Sequence, residues 1–199
     1  ILQNQIERFG DHMFKEGSIV QGAQSGLDLE LYYVKVKSAN PNSEGDVNAE
    51  TYRTASVGKY FQGKTSGVVG EIITTTGETT DDKLTIFVKY IRQGTDTGNS
   101  FSFTAGEELQ ECTLGVDGTP AAVSSNKNEF EVDAKTDASD PNGLASIANI
   151  SEGIIFIRGF FVKVPAQELI LEKYSGKPSY RIGLTITESL ISSTTDTSL

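Results

Sequence analysis

The run GKYFQGKT at residues 58–65 satisfies G-x-x-x-x-G-K-T, the spacing with which a glycine-rich loop cradles phosphates while its lysine reaches the outer ones. That chemistry needs the loop to open a helix whose N-terminus faces the anion. Here SGVVGEIITTTG follows, a β-branched stretch punctuated by glycine with no helical period. No alternation of strand and helix patterns supplies a parallel sheet either. Nucleotide binding is therefore not expected, and we assign no catalytic residue and no cofactor.

The remaining reactive groups are equally isolated. Cys112 is the one cysteine and His12 the one histidine, a hundred residues apart, so no disulfide, no CxxC metal site and no adjacent Cys/His pair arises from spacing. In EELQECTLGV the alternation turns Cys112 inward as a small apolar side chain. The carboxylates Asp81 and Asp82, Glu107, Glu108 and Glu111, and Asp133, Asp137 and Asp140 fall in turns and at strand starts, and read as solvated. DAKTDASDPNG gathers oxygen ligands before Gly143. Setting Gly143 at the sixth position of a calcium loop puts Ala138 first and Asn149 twelfth, so the loop lacks both essential carboxylates and no metal is expected.

The elements that would position any site are mostly strands. The opening ILQNQIERFGDHMFKEG spaces Leu2, Ile6, Phe9 and Met13 by four and three, a narrow helical seam suited to contact with other subunits. From residue 18 the period becomes that of strands. Leu27, Leu29, Leu31 and Tyr33 alternate, and the apolar phase then passes to Val34 and Val36, which predicts a bulge or a change of buried face. Leu84, Ile86, Val88 and Tyr90 mark one strand face, and GIIFIRGFFVKVP reads as two apolar runs around Arg158-Gly159, either a tight hairpin or one strand with a bulge. Tyr180, Ile182, Leu184 and Ile186 predict a last strand with one apolar face.

The expected fold is mainly β: a short N-terminal helix followed by antiparallel sheets, with a small β-barrel or sandwich as an insertion. The helix occupies 1–17 and ends a longer helical segment. Residues 18–47 and 147–199 form a β-rich base domain around an inserted domain at 48–146, whose 117–146 is a polar surface loop. The chain opens inside a helical pattern without an initiator Met, so we expect a piece of a longer protein.

Composition narrows the partners. The chain has 199 residues and 21.4 kDa, 37% hydrophobic and 22% charged, enough for one substantial core. The net charge is −10 and Lys and Arg are scattered, so nucleic acid is not an expected partner. No apolar run approaches the ~20 residues that span a bilayer, so no membrane partner is expected.

The opening ILQNQIERFGDHMFKEGSIV and the stretch SEGIIFIRGFFVKVPAQELILEKYSGKPSYRIGLTITESLI resemble a family of structural proteins of tailed phages, over roughly residues 1–37 and 150–199. That family is a domain of unknown function in tail-fibre, baseplate and related virion proteins. The resemblance implies a non-enzymatic virion component of the phage tail, made in the host cytoplasm. It would act through contacts with other tail and baseplate proteins and as a homotrimer, with no catalytic residues. The alternative is a receptor- or carbohydrate-binding module, with Tyr52, Tyr60 and Phe61 presented to a sugar.

Overall fold

The computed structural model describes residues 13–41, 48–123, 129–136 and 140–188. They fold mainly as β-structure, in two antiparallel sheets. The strands are β1 (Ile19–Gly22), β2 (Ser25–Lys35), β3 (Tyr60–Gly63), β4 (Val69–Thr76), β5 (Thr85–Arg92) and β6 (Glu108–Leu114). Then come β7 (Pro120–Ala122), β8 (Phe130–Glu131), β9 (Asn142–Ile150), β10 (Gly153–Ile157), β11 (Phe160–Val164) and β12 (Gln167–Glu172). A single-turn helix α1 (Ala49–Tyr52) is capped by Asn48, whose side chain accepts from the Glu50 amide.

The larger sheet runs β12-β9-β2-β5-β4-β3-β6-β7, with β8 also on β6; the smaller is β1-β10-β11. The sheet is continuous across residues 47 and 147, because β2 pairs with β9 on one side and β5 on the other. No closed barrel forms among the described residues. Instead the far end of the sheet coils until β8 reaches the end of β2 through a bridge between Val36 and Val132, supported by Lys37 N–H to Glu131 O at 2.9 Å.

Inside that coil sits the main core: Val34, Val36, Phe61, Ile72, Leu84, Ile86, Val88, Phe103, Leu109, Phe130 and Val132, with Tyr52 from α1. Aromatic edges lock it, Phe130 lying 5.1 Å from Tyr52 and 5.3 Å from Phe61 between ring centres. The face read from Leu84, Ile86 and Val88 is the one that enters this core. β5 is central, however, so Phe87 is buried on its other side with Leu31, Ala145 and Ile147.

The apolar phase change in β2 has the same cause. Leu31 and Tyr33 face the second cluster while Val34 and Val36 face the first, and the pairing with β5 runs unbroken through Tyr33 and Val34. The irregularity lies earlier, between Asp28 and Leu31 against β9. Residues 117–146 also depart from the expected surface loop. They carry β7, β8 and the start of β9, and place Phe130 and Val132 at 0% exposure. A two-residue strand leaves no period in the sequence, and its burial comes from distant partners.

In the smaller sheet Arg158 and Gly159 turn the β10–β11 hairpin, with positive φ of 49° and 86°. Of the hairpin and the bulged strand that the sequence allows, the hairpin forms, and its left-handed turn follows the twist of the strands. The seam residues Leu2, Ile6 and Phe9, like His12, lie outside the described residues. Met13 is helical and 68% exposed.

Candidate functional site

The phosphate-loop pattern folds as a hairpin. Gly58 lies in the turn after α1, Tyr60–Gly63 is β3, residues 64–66 form a tight turn, and β4 follows in place of a helix. The turn nonetheless presents amides to an anion, and the anion is internal. Glu107, only 4% exposed, accepts from Thr65 N–H at 3.1 Å and Ser66 N–H at 2.9 Å on one oxygen. Its other oxygen accepts from Ser66 Oγ at 2.9 Å and Thr104 N–H at 2.5 Å. Such a concave set of N–H groups favours negative charge, and a carboxylate of the same chain supplies it.

Lys64 is engaged in the same way. Its Nζ lies 2.8 Å from Glu129 and 2.9 Å from Glu108. Burial works against the ammonium, but hydrogen bonds from Lys64 to Glu129 and Glu108 outweigh it and raise its pKa. Gly63 is required here because a Cβ would lie 2.5 Å from a Glu107 oxygen. Sequence reasoning took Glu107 for a solvated strand edge; the structure corrects this. Its donors stand 41 and 42 residues away in sequence, and no local pattern announces them.

The other candidates separate in space or withdraw into the core. Cys112 is buried, and burial, then the Glu111 charge, pushes its thiol up to about 11, the opposite of an activated thiolate. Tyr52 and Phe61 are 5% and 0% exposed, so the aromatic platform proposed for a sugar does not exist; Tyr60 alone is half-buried. Among the described residues no group of three or more His, Cys, Asp and Glu could hold a metal. Asp137 lies outside them. No helix among them is long and apolar enough to cross a membrane.

What the surface does offer is apolar. Residues 173–188 leave β12 as an extended strap across the outer part of the larger sheet toward the smaller one. The strap is pinned at its start, where Asp82 accepts from Lys173 at 2.8 Å and from the Tyr174 hydroxyl. Lys35 lies over the Tyr174 ring and Tyr33 packs edge-on against it. Burial would raise the Asp82 carboxyl, but its bonds to Lys173 and Tyr174 hold it below the ordinary carboxylate range. Burial and the Asp82 contact push the Tyr174 phenol to about 12. At the far end Arg158 pairs with Glu188 at 2.6 Å.

Between these pins the Tyr180 hydroxyl donates to Glu172 of β12 at 2.5 Å, and the rest of the strap is flanked by grooves. On one side a groove of about 540 Å³ is lined by Leu27, Ala148, Leu169, Ile182 and Leu184. On the other a groove of about 520 Å³ is lined by Ile157, Phe160, Val162, Leu184 and Ile186. Leu184 borders both, which joins them into one apolar band. Leu27, Leu169 and Phe160 are more than half exposed.

The strand expected at residues 180–187 is the feature that the structure corrects. Its apolar side chains alternate along the sequence, but the segment has no assigned secondary structure and enters no ladder among the described residues. Alternation expresses a preference for extended backbone; it does not supply the neighbour. Sequence reasoning also missed the band, because Leu27 and Leu169 lie in strands far apart in the chain and meet only through Ala148.

No family model matches this chain, and no curated protein or solved structure matches it.

Proposed function

We propose that this chain is a bacteriophage virion structural protein, a tail-fibre or baseplate attachment module that works by fixed contacts with other tail proteins and with copies of itself. The apolar band along the strap carries this reading. Contiguous exposed apolar surface costs solubility and marks protein contact when charged groups rim it. Glu168, Lys163 and Glu188 form such a rim along the two grooves.

The phage setting comes from the resemblance of residues 1–37 and 150–199 to tail structural proteins, and a homotrimer is what that resemblance implies. The second region includes β12 and the strap, so the stretch that carries the resemblance also carries the band. The exposed Met13 is consistent with a second contact at the helical seam. Sedimentation equilibrium of the chain tests the reading. Three times the 21.4 kDa chain mass is expected. A strict monomer at every concentration would contradict it.

A further inference from the structure

Residues 177–187 adopt no helix or strand, and none of their N–H or C=O groups bonds to described backbone. Backbone polar groups find partners wherever water is excluded. Here the segment is open to water, and its alternating Ile182, Leu184 and Ile186 supply the pattern for half of a ladder. The other half lies on the same molecule. β12 is the last strand of the larger sheet, and the outer edge of Gln167–Glu172 has no strand beside it among the described residues. Edges are usually blunted by proline, brevity or a bulge; β12 has six residues without proline, and its bulge comes only at the end, between Ile170 and Glu172.

Charge points the same way. In a chain of net charge −10, residues 173–187 hold Lys173, Lys177 and Arg181 and no acid. Lys173 is taken by Asp82, while Lys177 and Arg181 are exposed and form no ion pair among the described residues. Glu168, on β12, is exposed and without an ion pair too. It lines the groove that Ile182 and Leu184 border. Donor segment, acceptor edge and complementary charges all belong to one chain, and within that chain they meet through side chains, the Tyr180 hydroxyl donating to Glu172, with no main-chain bond between them among the described residues. The pins at Tyr174 and at Arg158 hold the strap at its two ends.

We propose that the occupant is a second copy of this chain, the strap of one copy adding as a strand along the β12 edge of the next, with Arg181 facing Glu168. This is strand addition, in which main-chain bonds give affinity and alternate side chains give register. It rests on the reading that the chain works by association, and goes further by naming the surface. Donor and acceptor differ, so a one-way contact runs head-to-tail and closes into a ring where its rotation allows, while reciprocal exchange gives a two-fold dimer.

The test is sedimentation of the full chain beside the double variant Ile182→Glu with Leu184→Glu, whose fold is checked by circular dichroism. An associating wild type and at least about ten-fold weaker association of the variant are expected, each 1.4 kcal/mol being ten-fold. The exposed pair Arg181→Glu and Glu168→Arg serves as a second probe that spares the fold: each alone weakens association, and together they restore it. A wild type that associates while neither set of variants weakens it overturns this interface and leaves self-association standing. A monomeric wild type overturns both.

Discussion

Within one chain, Phe61, Phe103 and Phe130 expose 1% or less of their surface, while Leu169, Ile182, Leu184 and Ile186 expose 43% to 55%. The residue types are alike in hydrophobicity, so the difference lies in what surrounds them. In the coil each side chain meets strands arriving from several directions, and β8 and α1 cover what the strands leave open. On the strap side one extended segment lies over an open sheet with grooves on both flanks. At ~25 cal/mol per Å² of apolar surface, the coil has collected its stabilisation within the chain. The strap side still holds most of its own in reserve for a contact.

The contrast also governs polar groups. Glu107 and Glu129, both 4% exposed, are surrounded by donors, so the coil buries charge only where it is answered. Lys177, Arg181 and Glu168 stay exposed and unanswered by any ion pair among the described residues.

The largest effect expected from breaking this comparison is at Phe130. Phe130→Ala removes the ring between Tyr52 and Phe61 and should cost about 3–5 kcal/mol, read from urea unfolding. Next comes Glu107→Ala, which leaves two amides of the 64–66 turn, that of Thr104 and the Ser66 hydroxyl without their acceptor. A loss of about 3 kcal/mol is expected, and a loss below about 1 kcal/mol would mean that water replaces the carboxylate.

A smaller effect is expected at the strap's pin. Asp82→Asn should lower global stability by under about 1 kcal/mol, as for other partly exposed pairs, while raising protease cleavage between residues 175 and 188. The pH dependence follows from the same group. Its folded pKa is lowered, so its contribution is complete above the unfolded value of about 4 and is lost as pH falls through the folded value. Tyr174 acts oppositely: its folded pKa is raised to about 12, so its contribution is lost as pH rises above the unfolded value of about 10. Phenolate absorbance should show several late-titrating tyrosines, Tyr33, Tyr52, Tyr90 and Tyr180 being raised as well, and one fewer in Tyr174→Phe. The smallest effect is at Leu184→Ala, within about 0.5 kcal/mol of wild type in the dissociated chain. A large loss there would show that the strap side is a finished core after all.

Much of the fold was legible because its strands carry a period. Leu84, Ile86 and Val88 declared a buried face by alternation, Arg158-Gly159 declared a tight turn or a bulge, and the β-branched run after Lys64 excluded a phosphate-binding helix. Long-range closure was not legible. Phe130 belongs to a strand too short to show a period, Glu107 looks like any acidic turn residue until Ser66 reaches it, and residues 180–187 have the right period with no ladder partner among the described residues. Each depends on which distant segment arrives, and a single sequence states only what each segment prefers locally.

Hydrogen exchange at low and high protein concentration tests most directly the claim that the coil is complete and the strap side is completed by association. Amides of residues 177–187 should slow at least about ten-fold as the chain associates, each ten-fold being 1.4 kcal/mol, while those of β3, β4 and β5 stay unchanged. Strap amides that exchange equally fast at both concentrations, in a chain shown to associate, would contradict it.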